Sequence, residues 1–236
     1  MQNKLFPVAI LAGGLATRLR PLTDSKPKAL IEVNGEPFLA HQLRLLRKQG
    51  IQDVVLCLGY LAEQIMDFID EGNHFDLNII YSVEGHDLLG TGGAIAQALP
   101  ALGEHFFVLY GDSYLPCDYA AIQAHYLASQ KLALMTVFHN QGQWDKSNIE
   151  FTNSQILQYD KENSTSAMHY IDYGVGIFNR KAFTDIPDNH PCDLATIYQD
   201  LLKKQQLAAY EANQRFYETG SFAGITELEK VLKETI

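Results

Sequence analysis

The chain has 236 residues, 47% of them hydrophobic, and a formal net charge of −10. That length supports a sizeable core, and the apolar fraction is ordinary for a globular protein. The acidic balance argues against non-specific nucleic-acid binding and against anionic membrane surfaces, so a phosphate ligand needs a local basic pocket. No apolar run approaches the roughly 18 residues of a membrane span. The first ten residues lack a signal peptide's pattern, and the expectation is a cytoplasmic protein. Cys57, Cys117 and Cys192 are widely spaced and odd in number, as reduced structural thiols would be.

In chain order, Val8–Ala12 is an apolar run long enough for one buried strand, and it breaks at Gly13-Gly14. A polar stretch follows with Thr17, Arg18, Arg20, Lys26 and Lys28. A strand ending in paired glycines lets backbone N–H groups approach one anion, and Arg and Lys add full charges beside them. A solvated glycine turn is the plain alternative, but this density of glycine and basic residues after a buried strand favours a polyphosphate site. Ala29–Val33 reads as a strand and Asn34-Gly35 as a turn. Apolar positions 39, 43 and 46, between Pro37 and Gly50, predict a helix. Residues 54–58, 61–69 and 78–83 read as strand, helix and strand, which completes a βαβαβ pattern with ligands expected at the carboxyl ends of the strands.

A second glycine cluster, Gly90-Thr91-Gly92-Gly93, opens the next helix, and residues 106–110 form a strand ending in Gly111-Asp112-Ser113. A carboxylate at such a strand tip can hold Mg²⁺ shared with phosphate oxygens. Residues 118–132 read as helix and 133–138 as strand. Between 140 and 169, turn-rich pieces separate short runs, as in antiparallel hairpins over a sheet edge. Residues 170–178 form a strand broken by Gly174 and Gly176, 194–205 a helix, 207–210 a short strand, and 226–235 a final amphipathic helix. The eight histidines show no HExxH spacing, and there is no GxSxG elbow.

The segments LAGGLATRLRPLT and KPKAL closely resemble the signature G-G-x-G-T-R-L-x-P-x-T…K-P-K of the sugar-1-phosphate nucleotidyltransferases. Walker and GxGxxG patterns are absent. The LGTGGAI and GDS segments look closest to mannose- and heptose-1-phosphate guanylyltransferases. The resemblance implies a three-layer α/β/α, Rossmann-like fold with a mostly parallel sheet and a small antiparallel insertion. It also implies a single domain over 1–236, with sugar-side and metal-side segments near 140–180 and 207–221. The implied reaction joins an NTP, with GTP as the leading guess, to a sugar 1-phosphate, giving an NDP-sugar and pyrophosphate.

By the same resemblance, Arg18, Lys28 and Asp112 are catalytic. Leu11, Ala12, Gly13, Gly14, Thr17, Gly90, Thr91 and Gly92 surround the nucleotide. Asn148, Asp160, Lys161 and Gly174 face the sugar phosphate, and Asp112 and Glu218 hold Mg²⁺. Asp172 is a lesser candidate for sugar hydroxyls. The chain departs from the pattern at Ala16, where relatives have Gly, and at Glu218, where they have Asp. A cytidylyltransferase for phosphocholine, a uridylyltransferase for an amino-sugar phosphate, and a nucleotide-binding regulatory protein remain open. So does assembly as a homo-oligomer.

Overall fold

The computed structural model describes residues 4–14, 19–70, 75–85, 87–187 and 190–234. Its main sheet begins as the apolar runs predict. Strands β1 (Val8–Leu11), β4 (Asp53–Leu58), β5 (Asn78–Val83) and β6 (His105–Tyr110) are parallel, in the order β5-β4-β1-β6. Between β1 and β4 lie β2 (Glu32–Val33), β3 (Glu36–Pro37) and α1 (Phe38–Lys48); α2 (Ala62–Asp70) joins β4 to β5, and α3 (Gly90–Ala98) joins β5 to β6.

The second half introduces antiparallel pairing into the main sheet. After β7 (Ser113–Tyr114) and α4 (Tyr119–Ser129), β8 (Ala133–His139) leads to the hairpin β9 (Ile149–Thr152) and β10 (Gln155–Tyr159). Strand β11 (Tyr170–Asn179) is inserted antiparallel between β6 and β8. After α5 (Leu194–Lys203), β12 (Leu207–Glu211) runs parallel to β8 at the edge. The chain continues through β13 (Tyr217–Glu218), which pairs with β7, into α6 (Phe222–Glu234).

Alternation along the strands splits the core into two layers. Val8 and Ile10 face α1, α2 and α4 through Leu39, Leu43, Ile65 and Ile122. Ala9, Val55 and Phe106 face α3 and α5 through Ile95, Ile197 and Leu201. This is the expected three-layer sandwich, with a mostly parallel sheet and small antiparallel additions.

Three local expectations need correction. Residues 29–33 are not one strand: Lys28–Leu30 form a 3-10 turn after Pro27, and only Glu32–Val33 pair, in a small hairpin across Asn34-Gly35. The buried Ala29 and Leu30 explain the apolar run without a strand. Gly174 and Gly176 do not end β11; its register with β8 shifts between Asp172 and Gly176, and the strand continues. The last helix starts at Phe222 rather than 226, because Ser221 Oγ accepts the Gly224 N–H at 3.0 Å.

Candidate active site

The carboxyl ends of β1, β4, β5 and β6 converge on a cavity of about 310 Å³. Leu11, Ala12, Gly13, Gly14, Lys28, Gly90, Thr91 and Asp112 line it, together with Glu84, Tyr110 and Gly111. Thr17 and Arg18 lie outside the described residues. The β1 exit is fixed on both sides: the Ala12 N–H bonds to the Cys57 carbonyl at 2.9 Å, and the Gly111 N–H bonds to the Leu11 carbonyl at 2.9 Å. The two glycines are not equivalent. A Cβ on Gly13 would stand 2.9 Å from the Gly59 nitrogen and 3.1 Å from Glu84 Oε2, whereas one on Gly14 would meet nothing within 4 Å.

Glu84 was not among the sequence candidates. It is the first residue after β5 and Asp112 the second after β6, and a carboxylate at the carboxyl end of a parallel strand is a signal that could have found it. Its Oε1 accepts the Leu89 N–H at 3.0 Å. Burial raises its carboxyl above the usual carboxylate range, partly opposed by that hydrogen bond.

Lys28 and Asp112 meet across the cavity floor, Nζ to Oδ2 at 2.6 Å, with side chains 16% and 29% exposed. Ser113 Oγ donates to Asp112 Oδ1 at 3.2 Å. The backbone here is braced from behind: buried Gln42 donates to the Tyr110 and Ser113 carbonyls at 3.0 and 2.9 Å. From the other side the Thr219 N–H reaches the Asp112 carbonyl at 2.8 Å.

A second cavity, about 520 Å³, shares Tyr110 and Asp112 with the first. Asp172, Gly174, Glu218 and Arg215 are among its walls. Asp172 is pushed up by burial, with the charge of Lys161 pulling the other way, and its Oδ1 accepts the Gly174 N–H at 3.0 Å. Lys161 places Nζ 5.6 Å from the Tyr110 ring centroid and 3.8 Å from Asp193 Oδ1. Asp193 caps α5 through the Ala195 N–H, and Thr91 Oγ1 accepts the Leu194 N–H at 2.8 Å. Lys161 therefore stands beside the ring that lines both cavities.

The other sequence candidates, Gly92, Asp160 and Asn148, line neither cavity. Gly92 donates its N–H to the Cys192 carbonyl at 2.8 Å, and a Cβ there would lie 2.9 Å from Ile197 Cδ1, so it lets α3 approach α5 closely. The Asp160 carboxylate accepts the Glu162 and Asn163 N–H groups at 2.9 and 2.8 Å, forming the turn that presents Lys161. Asn148 Oδ1 accepts the Asp172 N–H at 3.1 Å and ties the hairpin to β11.

Glu218 is carried to the second cavity by β13, whose pairing places it opposite Ser113, next to Asp112. Its carboxylate accepts from Gly220 N–H and from Ser221 Oγ, the latter at 2.8 Å. Among the described residues no three His, Cys, Asp or Glu side chains form a metal-binding group. Two hard carboxylates lining one cavity fit a Mg²⁺ ion that keeps waters and shares phosphate oxygens, rather than an all-protein cage.

The sequence profile described as nucleotidyl transferase matches residues 8–234. The chain belongs to the nucleotidyl transferase family. An N-acetylmuramate alpha-1-phosphate uridylyltransferase from Neisseria meningitidis serogroup B is 42% identical over 113 residues, 48% of this chain and 49% of that protein. A D-glycero-alpha-D-manno-heptose 1-phosphate guanylyltransferase from Campylobacter jejuni is 27% identical over 212 residues, 89% of this chain and 93% of that one. The match thus spans about half the length of the first relative and nearly all of the second. Among solved structures, HddC from Yersinia pseudotuberculosis complexed with GMP-PN superposes on this transferase with a TM-score of 0.82 at 24% identity. That superposition covers 97% of this chain and 100% of the HddC chain. No helix among the described residues is long and apolar enough to cross a membrane.

Proposed function

We propose that this transferase moves a nucleotidyl group from an NTP to a sugar 1-phosphate, releasing pyrophosphate. One observation carries the reading: two cavities meet at Tyr110 and Asp112, with Lys28 on that carboxylate. The first cavity, built from strand ends and glycines, suits the nucleotide; the second, rich in carboxylates and aromatic rings, suits a hydroxyl-bearing acceptor.

An acceptor phosphate oxygen forms a bond to the α-phosphorus as the bond from that phosphorus to the bridging oxygen breaks, and the electron pair leaves on pyrophosphate. The nucleophile is already an anion, so no side chain has to remove a proton. The chain's task is to hold two repelling anions in line and to neutralise the charge that develops. Lys28 Nζ, at the junction, donates to phosphate oxygens in place of Asp112. Lys161 holds the acceptor phosphate beside Tyr110. Gly13 and Gly14 present backbone N–H groups to the triphosphate, and Arg18 takes the leaving pyrophosphate. Mg²⁺, when bound by Asp112 and Glu218, supplies positive charge to the phosphate oxygens.

Glu84 favours guanine. An ionised carboxylate accepts hydrogen bonds only, and guanine offers two adjacent donors on one edge, whereas uracil offers one donor between two carbonyls. A specific observation keeps uridylyl transfer as the second reading: the shorter but more identical match is to a uridylyltransferase acting on an amino-sugar phosphate. The deciding measurement is pyrophosphate release with Mg²⁺, crossing four NTPs with mannose-, heptose-, glucose-, N-acetylmuramic acid- and choline-phosphates. GTP with a neutral hexose or heptose phosphate is the expected pair. UTP with the N-acetylmuramic acid phosphate would move the assignment to the second reading. Nucleotide binding without pyrophosphate from any pair would establish a regulatory binding protein instead.

A further inference from the structure

One wall of the second cavity is built around the chain's own cation. Arg215, between β12 and β13, lays its guanidinium carbon 3.2 Å from the ring centroid of Trp144 and 5.0 Å from that of Tyr217. Both of its terminal nitrogens bond to the Glu227 carboxylate on α6. Two aromatic faces and a carboxylate around one point are the elements that bind a quaternary ammonium ligand. Here that point is filled from within.

We propose that Arg215 determines acceptor specificity: by occupying the Trp144–Tyr217–Glu227 cage it shuts out cationic head groups and leaves the cavity to hydroxyl-bearing sugar phosphates. The inference rests on the second cavity being the acceptor's, and it narrows the acceptor class of the transfer proposed above. Three features support it.

First, among the described residues lining the cavity, Arg215 is the one basic side chain; Lys28 pairs with Asp112 and the charge of Lys161 acts on Asp172, which leaves Asp145, Glu218 and Glu227 facing Arg215 alone. Without it the space would attract cations. Second, the loop backbone that carries Trp144 does not depend on Arg215 for its position. The Trp144 loop is held by buried Asn140, whose Nδ2 donates to the Asp145 carbonyl at 2.6 Å and to Ser147 Oγ at 3.0 Å, while its Oδ1 accepts the Trp144 N–H at 3.4 Å. Third, the guanidinium is not held by complete hydrogen bonding: its Nε is buried with no acceptor among the described residues. Its position is set by the aromatic faces and Glu227, the same partners an ammonium ligand would use.

Trp144 is the chain's one tryptophan, so intrinsic fluorescence reports this cage. Tetramethylammonium and choline phosphate would be titrated into the wild type, Arg215→Ala and Arg215→Gln, each first checked for folding by circular dichroism and a cooperative thermal melt. We expect no saturable tetramethylammonium response in the wild type, and at least tenfold tighter binding in a folded variant. Adding Glu227→Gln to that variant should remove the gain while keeping the fluorophore. Saturable tetramethylammonium binding to the wild type would overturn the proposal, and that arm does not depend on whether either variant folds. So would a folded variant that gains no affinity, which would make Arg215 a structural staple between three segments. Because the readout is binding without turnover, failure of the transfer reading shows as absent pyrophosphate release and leaves this result separate.

Discussion

The two cavities are built in different ways. The first is made largely of backbone: strand ends, Gly13, Gly14, Gly90 and Gly111, with Lys28, Glu84 and Asp112 added at the tips. The second is made of side chains drawn from the loop before β9, from β11, from the segment after β12 and from α6. Backbone sites need contiguous residues of restricted type, so their chemistry is written in short motifs. A side-chain site assembled from four distant segments leaves no such trace. On the proposed function, the cavity written in motifs is the nucleotide's and the one assembled from distant side chains is the acceptor's.

The sharpest break between the two ends is at their junction. Lys28→Ala should lower turnover by about 100- to 1000-fold, the scale of removing one charge-stabilising donor from a phosphoryl-type transition state. Its ion pair with Asp112 is mostly buried, so leaving the carboxylate unpartnered should cost about 1–3 kcal/mol of stability, far less than the loss in rate would require if it came from unfolding. Single-turnover kinetics beside a thermal melt checks both. Unchanged turnover at an unchanged melting temperature would remove Lys28 from the site. Asp112→Asn should cost a similar factor in rate and raise the Mg²⁺ concentration needed for half-maximal activity, while Lys28→Ala, which frees the Asp112 carboxylate, should not raise it.

Legibility in the sequence followed the same division. The runs at 8–12, 54–58 and 106–110 announced buried parallel strands because strands covered on both faces are continuously apolar. The run at 29–33 looked alike, but a 3-10 turn buries Ala29 and Leu30 without sheet pairing. Gly174 and Gly176 read as breaks, yet β11 lies between two strands and carries the irregularity as a register shift. Lys28, Asp112, Gly13 and Gly90 stood in motifs, and the structure brings them to one cavity. Glu84 lacked a motif although, like Asp112, it stands at the carboxyl end of a parallel strand. Trp144, Arg215 and Glu227 are separated by 71 and 12 residues, and only the folded chain brings them together.

Within the first cavity the paired glycines offer a smaller test. Gly13→Ala would press a methyl against the Gly59 backbone and the Glu84 carboxylate. Overpacking of this kind costs about 1–3 kcal/mol, and the displaced Glu84 should weaken nucleotide binding as well. Gly14→Ala has open space and should change stability by less than about 0.5 kcal/mol. Denaturant unfolding of the two variants side by side would check this. Equal losses would mean that the close approach at Gly13 does not constrain the loop.

The smallest effect concerns pH and the base. Burial raises the Glu84 carboxyl in the folded chain. A raised carboxyl favours the neutral form, so its contribution to stability is present below the unfolded value and is lost as pH rises through the folded value. Guanine recognition has the opposite demand, because two N–H donors need the ionised carboxylate. GTP affinity should therefore fall, by about twofold to fivefold, as pH is lowered from 7.5 toward the raised value. The Gln side chain of Glu84→Gln carries no titrating charge, so that variant should bind GTP more weakly at pH 7.5 and lose the slope. Titration of both proteins with GTP and UTP separates this from protonation of the triphosphate itself, which acts equally on either nucleotide. A slope that persists in Glu84→Gln, or that appears equally with UTP, would take base selection away from Glu84.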